Sequence, residues 1–148
     1  MDIMTKNPLY VLEVDSVGRV EDLLRNCTHQ GFPVVTAKVL TEGASPQFRG
    51  LILRRHLVML LKERAFFNYP PKPYETNAIL TNNDLEKLYP RYPTIEDIHL
   101  SDEDRKSFLD LTPYMNAGPF VVHEHALATR AFRLFRTMGL RHLPVVCI

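Results

Sequence analysis

The residues of this chain whose types and spacing bear on chemistry are few. In His123-Glu124-His125 two imidazoles stand two positions apart, on one face if the strand before them continues. That spacing suits a metal pair, but a zinc site needs further ligands and none stands at a recognised distance. The segment reads as a polar loop between a strand and a helix. Cys27 and His29 are of the types that make a thiolate nucleophile. Neighbours two apart on a helix do not face each other, so Cys27 reads as a small buried hydrophobe. Asp102, Glu103 and Asp104 gather three carboxylates at a helix start, where the dipole favours them in water. They lack the apolar enclosure that tunes an acid for proton transfer. No glycine-rich phosphate loop, nucleophile elbow or metalloprotease helix occurs. The chain is therefore expected not to be an enzyme and to have no catalytic or metal residues.

The elements around these residues follow from hydrophobic period and punctuation. A lead-in over 2–8 closes at Asn7-Pro8, because the residue before proline is pushed out of helical geometry. A strand is expected over 9–12. Asp15 or Ser16 caps a helix whose Val17, Val20, Leu23, Leu24 and Cys27 recur at helical spacing. Gly31-Phe32-Pro33-Val34-Val35 is a second strand, 42–47 a turn, 48–53 a third strand, and 54–67 a helix with an apolar stripe of Leu57, Val58, Leu60 and Leu61.

Residues 68–108 change in composition. Pro70, Pro71 and Pro73 open a linker, Asn82 or Asn83 caps a short helix around Leu85, and Tyr89-Pro90-Arg91-Tyr92-Pro93 excludes regular structure. Thr94 to Ile98 reads as a capped turn and Ser101 to Asp104 as the capped start of an acidic helix. A strand over 120–122, a helix over 127–138 with Ala128, Ala131, Leu134, Phe135 and Met138 facing inward, and a strand over 143–146 complete the chain.

These last elements repeat the first. At an offset of 111 positions, residues 4–36 lie over 115–147 without a gap, with ten identities in thirty-three positions that include Pro8 with Pro119, Glu13 with Glu124, Arg19 with Arg130 and Pro33-Val34-Val35 with Pro144-Val145-Val146. One structural unit occurs twice. The expected organisation is a first unit over 1–67, a connector over 68–108 and a second unit over 109–148. The second is incomplete, since its third strand and last helix do not follow.

The totals narrow the partners. At 148 residues and 45% hydrophobic the chain buries a sizeable core, and a net charge of +1 leaves no electrostatic footprint for nucleic acid. Two cysteines make no disulfide scaffold, so a reducing compartment is the default. The longest uninterrupted apolar run, 57–61, is far short of the ~20 residues that span a bilayer. No secretory signal is read at the N-terminus, where Asp2 and Lys6 interrupt any apolar region.

At this point several segments carry a resemblance. Paired units with Met-x-x-x-Pro, a proline-led strand and a glycine-led third strand look like a tandem CBS-domain pair, an α+β fold with a pseudo-two-fold axis, here with the second unit truncated at its C-terminus. More narrowly, Gly50-Leu51-Ile52-Leu53-Arg54, Tyr89-Pro90-Arg91-Tyr92-Pro93, Leu111-Thr112-Pro113-Tyr114-Met115-Asn116 and the run from Leu134 through Gly139-Leu140-Arg141-His142-Leu143-Pro144 to Val146 resemble the cytosolic region of eukaryotic CLC chloride channels and chloride/proton exchangers, the late-endosomal and lysosomal branch above all and the plant vacuolar members next.

The resemblance implies a regulatory module on the cytosolic face of an endosomal, lysosomal or vacuolar membrane, with no membrane span of its own. It implies two partners, a CLC membrane domain outside this chain and a second CBS pair in a homodimer. It requires no cofactor, although several family members hold ATP, ADP or AMP as a regulatory ligand. Carried over by position, Thr28, His29 and Gln30, with Phe32 behind them, match the loop that contacts adenine, and Tyr10 lies near the base. The family's Gly-x-x-Thr/Ser-x-x-Asp signature reads Gly50-Leu51-Ile52-Leu53-Arg54-Arg55-His56, with Leu53 for the hydroxyl and His56 for the carboxylate that grips the ribose. Arg54 and Arg55 remain as forked donors to phosphate. The function implied is modulation of ion-transport gating. The alternatives are a free-standing CBS-pair nucleotide sensor that regulates an enzyme, and a fragment without function.

Overall fold

In the computed structural model, which describes residues 9–36, 47–72 and 79–146, the repeat is visible as hydrogen bonds. In the first unit β1 (Val11–Leu12) runs parallel to β3 (Gly31–Val35), pairing Val11 with Val34 and Leu12 with Val35. In the second, β6 (Val122–His123) runs parallel to β7 (Val145–Val146), pairing Val122 with Val145 and His123 with Val146. Each pair is displaced by the offset of 111 seen in the sequence. The next bond repeats too: Glu13 N donates to Val35 O at 3.0 Å and Glu124 N to Val146 O at 3.0 Å. Because side chains alternate along a strand, a one-residue slip would turn every core residue outward. Equal register in both copies means equal inward faces.

Between its strands the first unit carries β2 (Val14–Ser16) and α1 (Val17–Arg25). Ser16 caps α1 by accepting from Arg19 N at 3.2 Å, as one of the two expected caps. β4 (Phe48–Leu53) adds antiparallel to β3 with the bounds read from the sequence. α2 (Arg54–Lys62) follows without a break. It was expected to reach residue 67 and stops five residues earlier. Ala65 N donates to Leu60 O at 3.1 Å and Arg64 N to Leu61 O at 3.3 Å, and Arg64 takes a left-handed φ of 56°. That is the Schellman ending, usually made by glycine, so no letter announced it.

The connector is ordered wherever it is described. It holds α3 (Asn82–Glu86), a 3-10 turn (Ile95–Asp97), α4 (Asp102–Arg105) and β5 (Phe108–Asp110). The α3 cap is Thr81, with Asp84 reaching back to Thr81 N at 2.8 Å, and Asn82 and Asn83 lie inside the helix. Ser101 and Asp104 form the same box on α4. β5 pairs antiparallel with β2, setting Val14 opposite Asp110. Leu85, Ile95 and Ile98 are buried with Val20, Leu24, Phe32, Ile52 and residues 57–61 in one cluster.

The second unit is packed more thinly. On α5 (Ala128–Met138) Ala131 is buried and Leu134, Phe135 and Ala128 are half-buried, while Met138, expected inward, is exposed. Its strands begin at Val122 and Val145, two residues later than expected, and β1 likewise begins at Val11 with Leu9 exposed. The expected lead-in over 2–8, most of the turn over 42–47, the linker at Pro73 and Cys147 lie outside the described residues.

Among the described residues the units meet where β5 pairs with β2, where Leu111 N donates to Glu13 O at 2.8 Å, and at two further close approaches. Leu51 N donates to Asn116 O at 3.0 Å and Asn116 N to Leu51 O at 2.7 Å, an antiparallel bridge between β4 and the approach to the second unit. Gly50 permits it, since a Cβ there would lie 2.6 Å from Asn116 O and 3.0 Å from Met115 Sδ. At the second of these approaches, Gly31 faces the ring of His142, which a Cβ would approach to 3.0 Å.

Candidate functional site

The residues expected to form a nucleotide site separate into two neighbourhoods. The first is the loop between α1 and β3. Thr28, His29 and Gln30 are exposed there, Phe32 is fully buried behind them, and the rings of His29 and Phe32 lie 6.2 Å apart. The loop is short, so its geometry is set from both ends: Gln30 O accepts from Arg54 N at 2.8 Å, and Gln30 Nε2 donates to Thr28 O at 3.2 Å.

Arg54 supports this loop from beneath. Its guanidinium donates to Cys27 O at 3.0 Å, to His29 O at 3.4 Å and to Leu24 O, and it lies 3.8 Å from Cys27 Sγ. Leu24 O belongs to the last turn of α1, whose carbonyls lack a helical partner, and Cys27 O and His29 O to the loop after it; a cation there also opposes the helix dipole. Arg54, expected to reach phosphate, is used as a C-terminal cap.

The second neighbourhood holds Arg55 and His56, which point toward the connector. His56 Nε2 lies 2.8 Å from Glu86 Oε1, an Arg55 nitrogen lies 3.4 Å from the same oxygen, and the Tyr92 hydroxyl donates to the other oxygen. The Arg55 guanidinium stands 5.3 Å from the centre of the Tyr92 ring. The bond from Tyr92, then that from His56, holds the Glu86 carboxyl below its usual range, and Glu86 pushes the Tyr92 hydroxyl up. The position at which the family signature has a ribose-gripping carboxylate is thus a latch between α2 and α3. Tyr10 is half-buried, with Arg19 5.3 Å from its ring centre.

One residue of the second unit borders the loop and was missed. His142 packs on Gly31, and burial first, then the charge of Arg141, holds its imidazole below the ordinary range. At the offset of 111, Arg141 and His142 are the counterparts of Gln30 and Gly31. The signal was in the repeat, because units related by a two-fold axis bring equivalent loops together. The candidate site is therefore the exposed 28–30 loop with His142 packed beside it on Gly31, and Arg54 and Arg55 committed elsewhere.

The other sequence groups are placed as follows. His123 and His125 have ring centres 5.2 Å apart, and His125 Nε2 lies 3.6 Å from Glu124 Oε1. Among the described residues no three His, Cys, Asp or Glu side chains gather in a way that would hold a metal ion. Cys27 is half-buried, and Asp104 pairs with Arg64, which with the bond from Ser101 holds its carboxyl down at about 2.

The CBS domain family matches residues 1–63. The H(+)/Cl(-) exchange transporter 7 of Homo sapiens is 39% identical over 134 residues, covering 89% of this chain and 16% of that protein. The protein of the same name from Bos taurus is 38% identical over 135 residues, with the same coverage. The putative chloride channel-like protein CLC-g of Arabidopsis thaliana is 37% identical over 149 residues, covering 98% of this chain and 19% of that one. The chain spans less than a fifth of the length of these relatives. Among solved structures, CBSX2 in complex with AMP matches at a TM-score of 0.52 and 22% identity, covering 98% of this chain and 78% of that one. A CBS domain protein from Streptococcus pneumoniae matches at 0.50 and 18%, covering 97% and 65%. These last two share the fold. With one strand register built twice and matches along nearly its whole length, the chain is a tandem CBS region of the kind carried by the CLC family of chloride channels and chloride/proton exchangers.

Proposed function

We propose that this chain is the cytosolic regulatory module of a CLC-type chloride/proton exchanger or chloride channel of endosomal, lysosomal or vacuolar membranes. It modulates gating through the way its units, residues 1–67 and 109–148, dock with each other across the 68–108 connector and with a membrane domain. It pairs with a second copy in the assembled protein. The observation that carries this reading is the junction at Gly50, where the backbone of β4 and that of Asn116 are bonded in both directions with no room for a side chain. A contact that close transmits displacement between units, and a ligand or subunit that favours one docking geometry shifts gating by its differential affinity for the two states. In this reading the ion pathway belongs to the remainder of the longer protein, of which the chain spans 16% in the relative from Homo sapiens. The test is transport by that protein with Gly50→Ala in this region: altered activation kinetics with unchanged ion selectivity support the reading, and wild-type kinetics refute it. Capture of a CLC membrane domain by this chain separates it from a free-standing sensor that controls an enzyme.

A finer reading is that the loop at residues 28–30 takes ATP, ADP or AMP through the adenine edge. The exposed Thr28, His29 and Gln30 beside His142 favour it. With Arg54 and Arg55 committed, affinity is weak. Isothermal titration with ATP is expected to show no saturation below millimolar concentration, and saturation there would reverse the assignment of Arg54 and Arg55.

A further inference from the structure

The repeat sets α1 and α5 side by side as two versions of one helix, and their outward faces differ in charge. On α1, Arg19 pairs with Asp15 and Arg25 with Glu21, the latter at 3.2 Å. Glu21 and Asp22 in turn hold Arg105 of α4, the Asp22 contact being 2.9 Å, and Arg25 donates to Ile98 O at 2.8 Å. The connector covers this face so closely that a Cβ on Gly18 would lie 3.1 Å from the Arg105 carbonyl oxygen. The face is neutralised, and it is occupied.

On α5 both arginines are kept, as Arg130 and Arg136, and all three acids are gone. At the offset of 111, Asp15 becomes Ala126, Glu21 becomes Phe132 and Asp22 becomes Arg133. Phe132 is 55% exposed and Leu127, at the start of the helix, 75%. Arg130, Arg133 and Arg136 are exposed, and their guanidiniums have no ion pair among the described residues. Like charges three residues apart weaken a helix, and nothing in the described fold offsets it. Thr129, Phe132, Arg133, Arg136 and Thr137 share one open face of α5. Their counterparts on α1 are Gly18, Glu21, Asp22, Arg25 and Asn26, the face that the connector covers.

We propose that this face of α5 is a docking surface for an acidic amphipathic helical segment of a protein partner outside this chain, seated as α4 and the 3-10 turn are seated on α1. Acids on that segment complement the three arginines, and an apolar side chain meets Phe132. A second copy docking isologously through this face would set arginine against arginine, which disfavours it. A membrane surface is the competing occupant, and the matching face of α1, where a short helix and a turn of protein sit, favours a protein segment. The inference stands apart from nucleotide binding and from the transport reading.

The test uses the whole chain and a fluorescein-labelled synthetic helix bearing Glu and Leu at helical spacing, followed by anisotropy at low and high salt. Saturable binding that weakens with salt is expected, with a loss of about tenfold for Arg133→Glu combined with Arg136→Glu. Phe132→Ala weakens it less. Phe132→Glu with Arg133→Asp, which rewrites α5 in the charges of α1, abolishes it, and Arg91→Glu elsewhere on the surface leaves it unchanged. Melting temperatures confirm that each variant folds, and Phe132→Ala serves if a charge reversal does not. Equal binding of a peptide with Gln in place of Glu, or an unchanged affinity after the double reversal, overturns the proposal. So does binding confined to phosphatidylserine vesicles, which assigns the face to a membrane, or dimerisation of the chain that the same reversal removes.

Discussion

The imidazole of His142 rests on Gly31, the residue that holds its place in the first copy of the repeat, so close that a Cβ on Gly31 would lie 3.0 Å from both Cε1 and Nε2. Equivalent residues touch where a two-fold axis relates two units. The contact is unequal, a ring on one side and a bare α-carbon on the other, so the axis is approximate and only one loop of the pair carries a titratable group at this point.

The two close approaches between units differ in what has to yield. Gly50→Ala drives a methyl into the backbone oxygen of Asn116, which is fixed by its bond to Leu51. A loss of about 1–3 kcal/mol in denaturant unfolding is expected. Gly31→Ala meets a side-chain ring that can swing, so its loss is smaller. Equal losses would show that the Leu51 to Asn116 bridge is no more rigid than the His142 ring.

The pH dependence at the junction has a definite sign. The His142 imidazole is held below its ordinary 6.5, so the fold favours the neutral ring over the charged one. The stability it contributes is present above the unfolded value and is lost as pH falls below about 6.5 toward the folded value. The wild-type melting temperature should fall between about pH 7 and 5 more steeply than that of His142→Gln. Parallel slopes for the two proteins would remove His142 from the junction.

Arg54 acts on stability. Its fork serves the Leu24 carbonyl of α1 and the Cys27 and His29 carbonyls of the loop that follows, and lysine offers a single point charge in place of that geometry. Arg54→Lys should lower unfolding free energy by about 1–2 kcal/mol and loosen residues 28–30, seen as faster amide exchange there. A variant as stable as wild type would free Arg54 for a ligand.

At His56 the expected result runs against the family signature. His56→Asp restores the carboxylate and sets it against Glu86, whose oxygen lies 2.8 Å from the present imidazole. Stability should fall, and Glu86→Gln should recover part of the loss, with a coupling of about 0.5–1 kcal/mol in a double-mutant cycle. Additive effects would mean that no latch joins α2 to α3.

Much of the architecture was legible along the chain. Gly31 and Pro33 open β3, Phe48 to Leu53 forms β4 with the bounds expected, and the apolar period of residues 57–61 marks a buried face. Glycine, proline and side-chain period act on the backbone beside them, so they can be read in place. The offset of 111 carried further, because it fixed the register of β6 on β7 once that of β1 on β3 was known.

The sequence by itself determined a duplicated unit, its strands and its inward faces. The tertiary structure alone decided what the polar side chains do: that Arg54 turns under the loop to a carbonyl 30 residues away, that His56 finds Glu86 at the same separation, and that Arg64 ends α2 where glycine is usual. A strand is selected by its own residues, whereas the partner of a guanidinium or an imidazole is whichever oxygen the finished fold brings within reach.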